Sequence, residues 1–373
     1  MRKLRICQLI TELGPAGAER CVYELARRLD RDRFDVQVAS LRGGVVADWL
    51  RDAGVKTTSL GVRGRWDLLA MRRLVHLLRT ERIDLLHTHL FHADLVGRPA
   101  AQMANVPRLV HTVHVIERRF RPWQYAYARF AAGWCDRIVA VSQSVRRYHR
   151  LRSGLPEWRY NVIPNGIDAE AYAADADLRR EFRRRLRIPP EEVLLAFVGR
   201  LDRQKGIDTL LAAISHLGAR GRPVSVVIAG DGPKRFIVEN FIAHGEGGRS
   251  TRWLGFVEDV QPVLSAADIF LMPSRWEGFG LAAAEAMAAG LPVIATDLPP
   301  LREFIEHGRT GLLIEPENAV ALTDAIEKLL GDAELRRRLG REAGEYARGA
   351  FSIDANVRAH ERLYEQVAGD LRQ

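Results

Sequence analysis

Three observations predict an α/β protein built as two doubly wound domains. The chain has 373 residues, enough for two hydrophobic cores. Short apolar runs that read as buried strands alternate with helical stretches along it. A charged helical stretch at 175–187, linker-like in composition, interrupts the alternation, which then starts again.

In chain order, residues 4–10 read as the first strand and 11–20 as its loop, carrying Gly14 and Gly17, with a helix over 18–29. A glycine-bearing loop between strand and helix can seat a phosphate or a sugar, but the dinucleotide pattern G-x-G-x-x-G is absent. Strands follow at 34–41 and 56–60, with a short helix over 48–53 between them. Residues 66–82 set Leu68, Leu69, Leu74, Leu77 and Leu78 at helical spacing among Arg72, Arg73, Arg79 and Arg82. Such a helix suits either an anionic membrane surface or the outside of a sheet.

Residues 83–89 read as a buried strand ending in His87-Thr88-His89, with His92 close by. No H-E-x-x-H and no cysteine partner accompany them, and alternate strand residues point to opposite faces, so no metal site is expected. A helix over 93–104 leads to a strand over 109–115 with His111 and His114, the latter at the carboxyl end where a ligand can reach it. Residues 116–130 interleave Arg118, Arg119, Arg121 and Arg129 with Phe120, Trp123, Tyr125, Tyr127 and Phe130. That mixture fits base stacking, a membrane interface, an acceptor contact, or a helix with its aromatics turned inward. A strand over 137–142, a basic helix over 144–152, and a strand with an Asn-Gly turn over 161–168 complete the first half.

The second half opens with a buried strand at 193–198, a loop at 199–206 and a helix at 207–217. Arg200 and Lys205 stand at the strand's carboxyl end, where a planar fork and a point charge can neutralise a diphosphate. Strands at 224–230 and 251–257 and a helix at 259–266 lead to the stretch on which the functional reading rests, 267–295. There an apolar strand, 269–272, is ended by Pro273 and Ser274; a tight loop, 276–280, precedes a helix, 281–289, rich in Ala, Leu, Glu and Met. Gly290 caps that helix, Pro292 follows, and Val293 begins the next strand.

A loop after the first strand of a βαβ unit is where open α/β sheets bind ligands. Gly278 and Gly280 let a ligand approach the backbone, and the first amides of the helix favour an anion. Glu277 lies in the loop and Glu285 about one and a half turns into the helix. Two carboxylates beside an anion seat suit a ligand with hydroxyls as well as phosphate, such as a nucleotide sugar; the competing reading is two solvated surface charges. Residues 303–313 read as a closing turn, and 319–330, 333–347 and 352–368 as helices.

The run Glu277-Gly-Phe-Gly-Leu-Ala-Ala-Ala-Glu285 resembles the E-x7-E mark of the retaining glycosyltransferases of family GT4, within a longer match that continues through E-A-M-A-x-G-x-P-V-I-A-T. Residues 199–206 resemble that family's G-R-L-x-x-x-K-G, 161–168 its V-I-P-N-G-I-D hinge, and Thr112-Val113-His114 its T-V-H. The first loop resembles G-G-A-E-R, with Gly14-Pro-Ala-Gly17 in place of Gly-Gly.

The resemblance covers nearly the whole chain and implies the GT-B fold: two Rossmann-like domains facing a cleft. Residues 1–168 would form the acceptor side, 169–350 the nucleotide-sugar side, and 351–373 a helix packing back on the first domain. It also implies retaining, metal-independent transfer from a UDP- or GDP-sugar, with no cofactor. In that reading Arg200 and Lys205 stabilise the leaving diphosphate, Glu285 binds the ribose hydroxyls and Glu277 those of the sugar. His114 contacts the donor sugar, and Gly14 and Gly17 face the donor phosphates and the acceptor. Val257 cradles the base, and Gly278, Phe279, Gly280 and Leu281 complete the donor site. No residue stands out as a nucleophile, so a same-face attack with the leaving phosphate as base is expected. The acceptor is expected to be a glycan, best a lipid-linked one in cell-surface polysaccharide synthesis.

Net charge is +9 and the isoelectric point about 9.8, which fits phosphate substrates, an anionic membrane or nucleic acid. No nucleic-acid motif accompanies the charge, so no nucleic-acid partner is expected. Cys7, Cys21 and Cys135 lack metal or redox spacing and suit a reducing compartment. No leader and no spanning stretch is read, so the expected place is cytoplasmic, with peripheral attachment to the inner face of the membrane open. The competitors are a nucleotide-sugar epimerase or a phosphorylase on the same scaffold, and a non-enzymatic binder of membrane or nucleic acid.

Overall fold

The computed structural model describes residues 2–62, 64, 67–118 and 120–369, apart from the side chain of Leu68. The expectations placed on Trp66 and Arg119, and on the helix beyond residue 369, lie outside the described residues. The chain divides into two units, Met1–Gly166 with Ile353–Gln373, and Ile167–Ser352.

Unit 1 runs β1 (Leu4–Ile10), α1 (Gly17–Arg28), β2 (Phe34–Ser40), α2 (Val46–Asp52), β3 (Lys56–Ser59), α3 (Leu68–Thr80), β4 (Leu85–His89) and α4 (Phe91–Ala104). It continues with β5 (Arg108–Val113), α5 (Pro122–Phe130), β6 (Arg137–Ala140), α6 (Gln143–Ser153) and β7 (Tyr160–Val162). Its parallel sheet has the order β3-β2-β1-β4-β5-β6-β7, so the winding reverses between β1 and β4. Local chemistry sets the helix ends. The Ser142 hydroxyl accepts from the Val145 amide at 3.1 Å to start α6, and Gly154 in the left-handed region stops it. On α3, Leu74, Val75 and Leu78 are buried in the core beside the sheet. α3 thus covers the sheet, while Leu69, Arg72, Arg73, His76 and Arg79 face out.

Unit 2 runs α7 (Ala176–Arg185), β8 (Val193–Val198), α8 (Ile207–Ala219), β9 (Val224–Ala229), α9 (Arg235–His244), β10 (Thr251–Trp253), α10 (Gln261–Ala266), β11 (Ile269–Met272) and α11 (Leu281–Ala288). Then come β12 (Val293–Thr296), α12 (Pro299–Arg302), β13 (Gly311–Ile314), α13 (Ala319–Gly331) and α14 (Ala333–Ala350). Its parallel sheet has the order β10-β9-β8-β11-β12-β13, with the reversal between β8 and β11. Three elements lie where the sequence reading had none or only a turn: α9, the short α12, and β13, which pairs with β12 from Val293↔Gly311 to Thr296↔Ile314. The charged stretch read as helical and linker-like in composition is a helix, and it is packed. Arg179 and Arg183 on α7 reach Asp268 at 2.7 and 3.1 Å and the Ala266 carbonyl at 2.7 and 3.1 Å.

The last helix, α15 (Ile353–Ala368), belongs to unit 1. Val357, Leu363, Tyr364 and Val367 join the core formed by Ile6, Val22, Leu25 and Leu85. Glu361 accepts from the Asp30 amide at 3.0 Å and from Arg33 at 3.2 Å. Among the described residues no helix is long and apolar enough to cross a membrane.

Candidate active site

In unit 2 the reversal of winding brings together two loops that are 72 residues apart in sequence: 199–206 after β8 and 273–280 after β11. Ligands of open α/β sheets bind at such a place. Lys205 Nζ donates to Glu277 Oε1 at 2.7 Å, and Gln204 Nε2 to the Trp276 carbonyl at 3.0 Å. The Arg275 amide donates to the Gln204 carbonyl at 2.7 Å, while its guanidinium grips both oxygens of Asp208 at 2.9 and 2.7 Å. The loops are therefore locked together before any ligand arrives. Gly206 makes the approach possible: its φ is +65°, and a Cβ there would stand 2.0 Å from the Pro273 carbonyl oxygen.

Arg200 is mostly exposed beside Asp202, free to swing toward an anion, whereas Lys205 is largely covered. Glu277 and Glu285 are both buried, so the reading of solvated surface carboxylates does not hold. Tyr172 donates its hydroxyl to Glu285 Oε1 at 3.0 Å, a contact 113 residues apart in sequence. Gly280, at φ +102°, starts α11 with a Cβ position 2.6 Å from Leu301 Cδ2. The first amides of α11 have no intrahelical acceptor and can meet an anion. Phe279 turns into an aromatic cluster with Phe304 and Phe351, ring centroids 5.4 and 5.6 Å away, so it anchors the loop by packing. Gly278 is buried and Leu281 half-buried at the same mouth. Val257 lies half-buried beyond β10, in a loop tied to β9 by the Gly230 amide, which donates to the Gly255 carbonyl at 2.7 Å. The buried Ser274 hydroxyl, at the carboxyl end of β11, has no hydrogen-bond partner.

In unit 1 the corresponding edge carries imidazoles. His87 and His89, two residues apart, share a face, with ring centroids 4.1 Å apart. This corrects the expectation that strand alternation disperses them: it separates Thr88 from both, not one histidine from the other. His87 hydrogen-bonds Tyr364 Oη and Thr112 Oγ1, each at 2.7 Å, and His89 Nδ1 meets His114 Nε2 at 3.0 Å. His360 of α15 completes the layer, 5.9 Å from the His87 ring.

A small pocket opens among Cys21, His89, Thr112, His114, Asn165 and His360. His89 Nε2 is buried and unpartnered. Burial, reinforced by the neighbouring His111 and His360, holds His114 down to about 3, so it is a neutral hydrogen-bonding group rather than a proton carrier near pH 7. Burial likewise lowers His360 to about 4 and pushes the Cys7 and Cys135 thiols up to about 12. Gly14 lies at the carboxyl end of β1 with nothing within 4 Å of a Cβ, and Gly17 opens α1. Among the described residues no group of three His, Cys, Asp or Glu side chains is placed to hold a metal ion.

The family model described as Glycosyltransferase Family 4 matches residues 15–171, and that described as Glycosyl transferases group 1 matches residues 179–346. A 2-deoxystreptamine glucosyltransferase of Streptomyces kanamyceticus is 30% identical over 99% of each chain. This chain belongs to the family 4 glycosyltransferases. It is also 27% identical, over 86% of each chain, to the Escherichia coli UDP-Gal:alpha-D-GlcNAc-diphosphoundecaprenol alpha-1,3-galactosyltransferase. The Anabaena protein Alr3699/HepE, solved in complex with UDP-glucose, superposes with a TM-score of 0.87 at 23% identity, covering 97% of this chain and all of that one. That likeness identifies the architecture as GT-B. As a family 4 member the chain is an enzyme, a glycosyltransferase, and neither the epimerase nor the non-enzymatic reading is favoured.

The sequence reading missed Tyr172, Ser274 and His360. Tyr172 and His360 reach their partners from distant segments, and Ser274 was taken only as a strand terminator.

Proposed function

We propose that this glycosyltransferase moves a sugar from a UDP-linked donor to a lipid-linked glycan, with retention of anomeric configuration. The observation that carries the reading is the buried set at the unit 2 switch point: Glu277 held by Lys205, and Glu285 held by Tyr172, around the amino end of α11. An ammonium group has three donors, so Lys205 can keep Glu277 and still bind a diphosphate oxygen. Arg200 adds a planar fork, and the α11 amides add fixed dipoles, where negative charge grows as the leaving group departs. Glu285, which accepts from Tyr172, binds the ribose hydroxyls; Glu277 serves the hydroxyls of the sugar. Val257 and residues 278–281 line the base and phosphates through backbone groups. In unit 1, Gly14 and Gly17 serve the substrates, and the neutral His114 serves a sugar hydroxyl.

The acceptor hydroxyl attacks the anomeric carbon on the face from which the diphosphate leaves. Its proton passes to a diphosphate oxygen, so no protein base is needed. The Escherichia coli relative, which takes UDP-Gal and a diphosphoundecaprenol-linked acceptor, and the Anabaena protein solved with UDP-glucose support a UDP donor, and the former a lipid-linked acceptor. A lipid-linked acceptor would place the enzyme at the membrane surface.

The test is thermal shift with UDP- and GDP-sugars, then proton NMR of the first-formed product. UDP-sugar should raise the melting temperature, Glu285→Ala should abolish the rise, and the product should keep the donor's anomeric configuration. A response to GDP-sugars alone would overturn the donor assignment, and an inverted product the mechanism.

A further inference from the structure

Among the described residues of unit 1, the three most exposed large apolar side chains, Phe130, Leu151 and Trp158, gather at one end of it together with Trp134. Phe130, Trp134, Leu151 and Trp158 are 79%, 37%, 72% and 62% exposed. They sit on the last turn of α5, the 3-10 turn Ala131–Trp134, the last turn of α6 and the 3-10 turn Glu157–Arg159. These segments are tied together. The Phe130 and Trp134 rings lie 6.0 Å apart. Arg159 donates to the Ala132 and Cys135 carbonyls at 2.8 and 2.7 Å. The Arg129 guanidinium reaches within 3.2 Å of the Cβ position at Gly154. Because the two 3-10 turns lead directly into β6 and β7, the patch lies at the amino ends of the strands, at the opposite edge from His114.

The charge around it is one-sided. Residues 129–159 contain seven arginines and two acids, Asp136 and Glu157. Glu157 is paired with Arg146, and Asp136 accepts from the Leu109 amide. Arg129, Arg147, Arg150 and Arg152 pair with no carboxylate among the described residues.

We infer that this end of unit 1 is a docking surface for an anionic lipid bilayer. Exposed Trp, Phe and Leu ringed by arginines match a membrane interface, where aromatic rings sit at headgroup level and guanidinium groups meet phosphates. Two other occupants fit less well. Base stacking needs open ring faces, but the Trp158 ring has the Arg159 and Arg137 guanidinium groups at 4.6 and 5.9 Å, and Leu151 has no ring to offer. A second copy meeting the same patch through a two-fold axis would set arginine against arginine. The inference deepens the proposed function and rests on the lipid-linked acceptor only for its purpose: an enzyme held on the bilayer meets an acceptor that cannot leave it.

The test uses the full chain in sedimentation with phosphatidylcholine vesicles, with and without phosphatidylglycerol. The wild type should sediment with the anionic vesicles, less so as salt rises, and stay behind with phosphatidylcholine alone. Arg129→Gln with Arg152→Gln should weaken binding about thirtyfold, from roughly fivefold per basic residue at an anionic surface. Phe130→Ser with Leu151→Ser should weaken it by about tenfold or more. All four positions are exposed, so the variants should melt with the wild type and keep its response to UDP. Binding by the variants equal to wild type, a wild type that ignores anionic vesicles, or capture by single-stranded oligonucleotide instead of vesicles would each overturn the inference. Vesicle binding without any UDP response would sink the donor reading and leave this one standing.

Discussion

The switch points of the two units hold polar groups in opposite electrical states. In unit 2 they are charged and matched, Lys205 with Glu277 at 2.7 Å. In unit 1 they are imidazoles stacked within about 6 Å of one another and kept neutral by burial. One topology thus supplies either a charged pair beside a helix amino end or a layer of uncharged hydrogen-bonding groups. The helices covering the sheet decide which: α15 buries His87 and His360 under Tyr364, whereas the loops of unit 2 leave Arg200 open.

Acid should break this comparison most severely. His114 and His149 sit at about 3, His111 and His360 at about 4, against an unfolded value near 6.5, burial being the main cause in each. Between those values the unfolded chain binds more protons than the folded one. Stability is therefore complete above pH 6.5 and falls as pH drops toward 4, by up to about 1.4 kcal/mol per pH unit for each such histidine. Calorimetry from pH 7.5 to 4.5 should show a transition that moves steeply down, and His360→Asn should flatten the slope; a melting temperature indifferent to pH would remove the neutral layer from the account.

The second effect concerns the charged side. Lys205→Met leaves Glu277 buried without its cation, an expected loss of about 2 kcal/mol. Lys205→Met with Glu277→Gln should recover most of that stability in denaturant melts, while sugar transfer stays lost. If the double variant were as unstable as the single one, the pair would not be the source of the loss.

The smallest effect is at Gly14. With open space beside it, Gly14→Ala should shift stability by less than about 0.5 kcal/mol. A severalfold rise in KM at unchanged stability would show that the loop meets a substrate, and an unchanged KM would release Gly14 from that role.

Much of unit 2's site was legible because its parts are local in sequence. The spacing of Glu277 and Glu285 around a glycine loop, and the cations after β8, could be placed by strand-then-helix patterning alone. The Lys205–Glu277 pair could not, since two loops far apart in the chain meet only after the sheet sets its strand order. Phe236, Ile237, Val238, Phe241 and Ile242 hid α9, because β-branched and aromatic residues are weak helix signals. The Arg-rich α7 was legible as a helix but not as a packed one, because its partners, Asp268 and the carbonyls of α10, lie more than eighty residues on. The histidine layer was visible as residues but not as a cluster: its closing members, His360 and Tyr364, arrive from the far end of the chain.

That last point has a consequence for how the protein is made. A ribosome releases unit 1's β1 to β7 early, yet Tyr364, Leu363 and Val357 emerge only after the whole of unit 2. Until then α1 and the sheet face that α15 covers stand bare, with Ile6, Val22 and Leu85 open to water. Unit 2, whose residues are continuous from Ile167 to Ser352, can finish first. The nascent chain can therefore complete unit 2 before unit 1, whose early strands stay uncovered on that face until α15 arrives.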